Sequence, residues 1–243
     1  MHIKHYITLI LISFSLAIPV VASAEERNDH SKEHGGQIFH AFRLEVGGGG
    51  TTDGAATADW DFDGWIGTDE NKLWLKSEGE RTDSTTEQAE FWALYSRNIA
   101  MFWDAQIGIR YDAQPQSTAY LALGFEGLAP YFFETEAHLF LSEDGDVSLR
   151  LRQENDFLIT QRLITQPYLE ANFFAQDVPE LEIGAGIASA EIGIQTRYEF
   201  TRKFAPYLDI KYERKFGETS SIAKNNGEDN DALIGTFGLR TMF

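Results

Sequence analysis

Apolar and charged residues alternate along this chain over twelve successive segments, and this pattern limits the folds that the chain can adopt. In residues 60–80, WDFDGWIGTDENKLWLKSEGE, Trp60 and Phe62 alternate with carboxylates before a turn at 65–70 that is rich in Gly and Asp. A period of two places every second side chain on one face of a β-strand. One face is therefore apolar and the other ionisable. A soluble sandwich would solvate the ionisable face, whereas a transmembrane barrel would turn it toward the lumen.

The length of the segments favours the barrel. Tilted transmembrane strands need about 9–11 residues, whereas strands of globular sheets usually have about 5–6. The polar face carries both charge signs, and a narrow lumen can satisfy such charges by pairing across strands. We therefore predict an all-β fold, a closed antiparallel transmembrane barrel of about 12 strands (range 10–14) over residues 38–243. The predicted strands are 38–46, 55–64, 71–80, 87–97, 101–112, 117–126, 131–142, 146–158, 162–174, 189–201, 204–215 and 231–243.

The connectors between these segments predict which end of the barrel is elaborated. If the chain starts in the periplasm, the long connectors 175–188 and 216–230 face outside, while even-numbered connectors such as 98–100 are tight. Short periplasmic turns and longer outer loops are the rule in outer-membrane barrels. The run Gly47-Gly48-Gly49-Gly50 is interpreted as a flexible loop, since it lacks the Lys-Ser/Thr that a nucleotide site requires.

The first residues of the chain predict export. Lys4 precedes an apolar run over residues 7–21, and residues 22–24 read Ala-Ser-Ala, the small-x-small pattern of a signal peptidase site. We therefore predict a signal peptide over residues 1–24 and a short flexible periplasmic leader over residues 25–37. No later segment approaches the ~20 apolar residues of a membrane-spanning helix, so membrane insertion must use strands.

Composition narrows the compartment and the partners. The chain carries 38 Asp and Glu residues against 20 Lys and Arg residues and shows no basic patch, which argues against nucleic acid as a partner. It has no Cys, so disulfides and thiolate metal sites are excluded. A Phe at position 243, on an alternating strand, resembles the signal read by the outer-membrane assembly machinery. These features predict the outer membrane of a Gram-negative bacterium, with lipid around the barrel.

Histidines are the first candidate metal ligands. His30 and His34 are separated by three residues within the leader, and His40 lies in the first predicted strand. Such a pair can share a metal ion on a helical turn or a flexible loop, but two His without a third close ligand make an incomplete site. The alternative is a polar leader with incidental His. His138 is predicted to face the lumen beside Glu136, either as a ligand or as a structural His.

Carboxylates are the second candidate. Asp59, Asp61 and Asp63 are predicted to face inward at the periplasmic end of the second strand, where they can attract divalent cations into the lumen. The alternative is that these carboxylates pair with Lys76, Arg43 or other lumenal cations. No GxSxG, phosphate loop or convincing Ser/His/Asp spacing is present, so no enzymatic activity is predicted.

Several blocks of the chain resemble the outer-membrane copper resistance protein B family. They are residues 60–80, 93–112, 125–145, 150–167 and 197–219. The resemblance covers roughly residues 38–243 and implies an outer-membrane protein that contributes to copper tolerance. Many members carry a leader rich in Met and His, whereas Met occurs in this chain only at Met1, Met101 and Met242. Only His30 and His34 are left of that copper-binding segment.

These observations support one leading hypothesis and two competitors. The leading hypothesis is a protein of copper resistance and homeostasis that binds, sequesters or moves copper ions, with periplasmic copper-resistance proteins as candidate partners. Copper would be bound or transported cargo, without a catalytic role. The first competitor is a small-solute channel without metal preference. The second is a lipase-type barrel, which would need a Ser/His pair facing lipid, whereas His138 is predicted to face the lumen.

Overall fold

A computed structural model describes residues 37–83 and 85–243 of the chain. The predicted signal peptide and nearly all of the predicted leader, with His30 and His34, lie outside these residues and stay predictions. The described residues form thirteen β-strands and one α-helix. The strands are β1 (Phe39–Thr51), β2 (Ala56–Gly67), β3 (Asn71–Thr82), β4 (Thr85–Ala100), β5 (Trp103–Gln114), β6 (Thr118–Ala129), β7 (Phe133–Ser142), β8 (Val147–Glu154), β9 (Phe157–Leu158), β10 (Leu163–Phe174), β11 (Gly186–Tyr198), β12 (Phe204–Lys215) and β13 (Asp231–Met242), and α1 is Gly217–Asn226.

The strands close into a single antiparallel barrel. Each long strand pairs with its neighbours in the chain, and β1 also pairs with β13, which closes the ring. β8 and the two-residue β9 both pair with β10, so together they occupy one position in the ring. The barrel therefore has twelve strand positions, and the predicted fold class and strand number are confirmed. Closure leaves no free strand edge within the described barrel.

The alternation of the sequence becomes the two faces of the barrel. On β5, the side chains of Ile107 and Ile109 are 49% and 62% exposed, whereas those of Gln106 and Asp112 are 4% and 5% exposed. The same arrangement runs around the ring, with most Leu, Ile and aromatic side chains outside. In a transmembrane barrel the exposed apolar face contacts lipid, because lipid-facing and lumen-facing residues alternate. The predicted faces of the strands are confirmed.

The interpretation of Gly47–Gly50 as a loop is wrong, because these residues continue β1. Gly47 pairs with Gly238 and Gly50 pairs with Gly235, at the seam where β1 meets β13. A Cβ atom on Gly49 would lie 1.8 Å from the carbonyl oxygen of Gly235, and one on Gly47 would lie 2.4 Å from a side-chain carbon of β13. The run therefore allows two strands and their side chains to approach closely, which is a known use of Gly in strands.

The two ends of the barrel differ. The end where β1 begins and β13 finishes, here called the terminal end, has connectors such as 68–70 and 101–102. The opposite end, here called the loop end, carries the two longest connectors, 175–185 and 216–230. The predicted turn at 65–70 is shorter than expected, because β2 continues to Gly67.

The connector 216–230, which the sequence pattern predicts to be a loop, contains α1. Glu218 lies in its first turn and Lys224 in its last, so both side chains complement the helix dipole. Gly227 ends the helix with φ of 80°, a left-handed conformation that Gly adopts without steric cost. Thr219 Oγ1 accepts a hydrogen bond of 3.0 Å from the backbone N–H of Gly184, which fastens α1 to the other long connector. No helix among the described residues is long and apolar enough to cross a membrane.

Candidate functional site

The ionisable faces of the strands meet inside the barrel, where charged side chains pair across the lumen. Near the β1–β13 seam, Arg240 Nε lies 2.5 Å from Glu45 Oε1, and Gln195 donates to the other oxygen of Glu45 at 2.7 Å. Arg43 Nε lies 2.6 Å from Asp63 Oδ1 on the adjacent strand. Glu45 and Arg240 are both buried. A buried charge is tolerated when its partner and additional hydrogen bonds compensate for lost hydration, as they do here.

Arg152 and Arg150 on β8 reach strands on the far side of the ring. Arg152 lies 3.8 Å from Asp61 on β2 and 3.6 Å from Glu78 on β3. Arg150 contacts both oxygens of Glu90 on β4, at 2.9 and 3.1 Å, and one oxygen of Glu78 at 3.4 Å. Because β8 pairs only with β7 and β10, these contacts span the interior. The lumen is therefore crossed by side chains.

Lys76 on β3 forms a second crossing. Its Nζ atom lies 2.6 Å from Glu136 on β7 and 3.4 Å from Glu126 on β6. Gln106 donates to Glu126 at 2.8 Å and joins this group to His138, whose Nε2 lies 2.7 Å from Gln106 Oε1. Hydrogen bonds of this kind hold a polar network in one arrangement, provided that every member is satisfied.

An aromatic cluster fills the lumen beside these charges. Trp92, Tyr120 and Phe140 are buried, together with Leu94 and Ala122. An arginine of β5 lies over this cluster, with its guanidinium carbon 4.7 Å from the centre of the Phe140 ring and 5.0 Å from that of Tyr120. Arginine over an aromatic face is a favourable cation–π arrangement. The cluster narrows one side of the lumen with apolar surface, which the polar alternation of the sequence alone did not indicate.

Two cavities lie in the lumen. The inner cavity has a volume of about 170 Å³ and is lined by nine Asp or Glu residues but only four Arg or Lys residues. The second, here called the loop-end cavity, has a volume of about 350 Å³ and reaches the connector 175–185 and α1. Its lining includes Phe174, Ile183 and Ala223 as well as carboxylates. An acidic lining in a low-dielectric wall concentrates cations and repels anions.

The predicted carboxylate ligands all face the lumen, but they are not gathered at one end. Asp59, Asp61 and Asp63 follow β2 from near the loop end toward the terminal end. Asp63 pairs with Arg43, Asp61 lies near an arginine of β8, and Tyr207 Oη approaches Asp59 Oδ2 at 3.5 Å. The expected concentration at one end is therefore wrong, because a strand spreads alternate residues along the barrel axis.

The predicted histidine ligands differ in environment. His138 is 1% exposed, contacts Gln106, and has its Nδ1 atom 3.8 Å from Glu136 Oε2. His40 is exposed at the terminal end, with its ring centre 6.2 Å from that of Phe42. Within residues 37–83 and 85–243, no three His, Cys, Asp or Glu side chains are grouped as ligands for a metal ion. His40 and His138 stay predictions as copper ligands.

Sequence reasoning identified the charged lumen but not its individual partners. Glu90 and Arg150 are separated by 60 residues, and Arg240 and Glu45 by 195. Their pairing depends on strand register and barrel closure, which alternation does not specify. The signal in the sequence was that all of these residues fall on the polar face of their strands.

Comparisons with known proteins match most of the chain to one family. A sequence model of the family described as "Copper resistance protein B precursor (CopB)" matches residues 39–243. Copper resistance protein B of Escherichia coli is 40% identical over 193 residues, which cover 79% of this chain and 65% of that protein. The homolog of Pseudomonas syringae pv. tomato is 36% identical over 235 residues, covering 93% of this chain and 79% of that protein. The chain thus spans slightly less than two thirds of the first relative.

Solved structures similar to this one include outer-membrane porins. The NanC porin has a TM-score of 0.59 at 14% identity, covering 82% of this chain and 98% of its own. The KdgM porin has a TM-score of 0.54 at 9% identity, covering 83% of this chain and 99% of its own. At such low identity the similarity concerns the fold alone. Together with the family match, it places the barrel in the outer membrane of a Gram-negative bacterium, as predicted.

Proposed function

Since this chain belongs to the copper resistance protein B family, we propose that it contributes to copper tolerance by admitting copper ions into its acidic lumen. Copper is cargo in this proposal, and no catalytic step is involved. The relatives are named as copper resistance proteins and the structural neighbours are porins, so neither comparison suggests an enzyme. The fold supplies a membrane-spanning wall, and the lumen supplies the charge that a cation would meet.

The excess of carboxylates in the inner cavity is the observation that carries this proposal. The lining contains nine acidic and four basic residues. It therefore stays negative even if each basic residue neutralises one acidic residue. Two of these acidic residues, Asp59 and Asp209, are contacted by neutral tyrosines. Tyr168 Oη lies 2.8 Å from Asp209, and Tyr207 Oη lies 3.5 Å from Asp59. Because no Arg among the described residues bonds to either carboxylate, a cation that reaches them would not have to displace a guanidinium.

The arrangement favours weak and transient contact with copper. Carboxylate oxygens are hard ligands, whereas Cu(I) prefers thioether or thiolate sulfur and Cu(II) suits imidazole. With no three-ligand group among the residues that the structure describes, we propose that the barrel handles Cu(II) by electrostatic attraction. Tighter capture belongs to His30 and His34 of the leader in this proposal, and periplasmic copper-resistance proteins are the partners that would exchange the ion.

A small-solute channel without metal preference is the competing function. The lumen argues against wide conductance, because Lys76, Arg150 and Arg152 each reach across it to carboxylates of distant strands. A channel for organic solutes would need these crossings to open. The two functions therefore differ in which solutes pass and in whether the carboxylates matter for copper tolerance.

Copper tolerance of a deletion strain tests the proposal. Restoring the chain should restore growth on copper, and restoring Asp59→Asn/Asp209→Asn should restore less, because the substitutions remove two lumenal charges without unpairing an Arg. Asp53→Asn/Asp144→Asn is the matched control, since both residues lie exposed on loop-end connectors. Unchanged copper sensitivity on deletion would overturn the proposal. Full tolerance with the lumenal double variant, at equal outer-membrane abundance, would refute the role of the acidic lumen.

A further inference from the structure

The inner cavity and the loop-end cavity have almost entirely different lining residues. Glu78 and Arg152 line the inner cavity alone, whereas Glu90 and Arg150 line the loop-end cavity alone. The two residues that line both are direct cross-strand partners on β3 and β4, namely Glu80 and Gln88. The connection between the cavities therefore runs along the β3–β4 wall.

Arg150 lies between the cavities and is bonded on both sides. Its guanidinium holds Glu90 of the loop-end cavity with two contacts and Glu78 of the inner cavity with one. On the opposite side, Arg150 Nε donates to Asn172 at 3.1 Å and lies 3.4 Å from Glu170. Arg150 is only 9% exposed. A bidentate guanidinium that also holds groups on two other strands is a rigid strut.

A second arginine, Arg110, lies beside Arg150 and contacts the same glutamate, Glu90. Arg110 lies 2.8 Å from Glu90 and donates twice to Asp112 at 2.6 Å. Arg110 and Arg150 both have their guanidinium carbons 5.5 Å from the centre of the Trp92 ring, so apolar surface fills the space beside the charges. We call Glu78, Glu90, Arg110 and Arg150 the lumen septum.

The two residues of the β3–β4 wall that line both cavities, Glu80 and Gln88, are also bonded to other side chains. Gln88 Nε2 donates to Glu90 at 2.7 Å, and Lys211 Nζ lies 3.1 Å from Glu80. A solute that moves between the cavities along this wall therefore meets these contacts and those made by Arg150. A cation can do so by replacing the bonded Lys or Arg as partner of the carboxylates, whereas an anion meets the same carboxylates with repulsion.

We propose that Arg150 closes the lumen between the two cavities and that the carboxylates it bridges, Glu78 and Glu90, make cation passage the selective step. This inference deepens the proposed function and rests on it where copper is the cation. The closure itself concerns any small ion. It is therefore tested with potassium chloride alone, so that its failure is distinguishable from failure of the copper proposal.

Single-channel conductance of Arg150→Cys in planar bilayers is the test. The chain has no Cys, so the introduced thiol is the only site for methanethiosulfonate reagents. We expect the variant to conduct at least about tenfold more than the unchanged chain, which corresponds to a barrier lower by about 1.4 kcal/mol. Its reversal potential in a salt gradient should indicate cation selectivity. Coupling an ethylammonium group to the introduced thiol should restore a positive charge and reduce conductance again, whereas a sulfonatoethyl group should not.

Arg162→Gln is the matched control, because Arg162 is exposed on the connector before β10. It should conduct like the unchanged chain. Arg110 still holds Glu90 in the Arg150 variant, so folding should survive, and heat-dependent mobility on gels checks it. If Arg150→Cys does not fold, Arg150→Lys replaces it. A lysine ammonium lacks the planar fork that holds both oxygens of Glu90 together with Glu78, so a smaller rise is expected. Unchanged conductance in a folded Arg150 variant, or a conductance that favours anions, would overturn the proposal.

Discussion

Several buried charges of the lumen are each compensated by specific partners, and single substitutions of these residues should have large effects. Glu45 receives contacts from Arg240, Gln195 and Arg43, of which the contact with Arg43 is long at 3.8 Å. Removing one member of a buried pair leaves the other charge without adequate hydration. The stability of the barrel therefore depends on polar residues as much as on its apolar outer face.

Arg240→Met should destabilise the barrel by about 3 kcal/mol, the lower part of the range for breaking a buried ion pair. Glu45 would keep Gln195 and a distant Arg43, which offset part of the loss. The measurement is the urea midpoint of unfolding in lipid vesicles, followed by tryptophan fluorescence. Arg202→Met, on an exposed connector, should leave the midpoint unchanged. The double variant Arg240→Met/Glu45→Met should recover part of the stability, and a double variant as unstable as the single one would contradict the pairing.

At the scale of elements, the β1–β13 seam and α1 are the features that the alternation pattern did not reveal. Gly47–Gly50 has the composition of a flexible loop, yet the facing residues include Gly235 and Gly238, so the strands approach closely there. A search for flexible composition cannot detect a partner strand that lies far away in the chain. α1 was missed because it is one short helix with few apolar residues, fastened by Thr219 to the neighbouring connector.

Gly49→Ala should impair closure of the barrel, whereas Gly48→Ala should not. The added Cβ of residue 49 would lie 1.8 Å from the backbone oxygen of Gly235, but that of residue 48 would lie 3.7 Å from its nearest neighbour, the Thr57 oxygen. The backbone of Gly235 cannot move aside as a flexible side chain could. The pairing of β1 with β13 at this position should therefore be lost. The folded fraction on unheated gels and the amount in outer-membrane fractions measure the effect. Equal folding of the two variants would contradict the close approach.

At the scale of the whole molecule, the barrel and the leader have different parts in the proposed handling of copper. The described barrel has a negative lumen, but within its described residues no three side chains are grouped as metal ligands. The imidazoles of His30 and His34 belong to the part of the chain outside the described residues. Interactions through potential are screened by salt, with a Debye length of about 10 Å at 0.1 M, whereas coordination to imidazole is much less sensitive. Ionic strength therefore separates the two contributions.

A Cu(II) titration of the refolded chain should show a tighter, salt-resistant component and a weaker, salt-sensitive one. His30→Ala/His34→Ala should remove the tighter component, and Asp59→Asn/Asp209→Asn should weaken the other. His40→Ala is measured beside them, because His40 is exposed at the terminal end and stays a predicted ligand: loss of the tighter component in this variant would add His40 to the site. Calorimetry at low and high salt measures both components. Tight binding that survives the double His substitution would show that the ligands lie elsewhere.

Sequence alone determined the all-β class, the twelve strand positions, most strand bounds to within about two residues, and on which face of a strand each side chain lies. These properties are local, because a period of two assigns each residue to a face whatever strand lies beside it. The three aspartates of β2 were thus placed inside the barrel correctly, but their partners were not identified. The tertiary structure alone decided that Arg150 meets Glu78 and Glu90, and that Gly49 lies against Gly235. Those contacts depend on register and on closure of the ring, which bring together residues far apart in the chain.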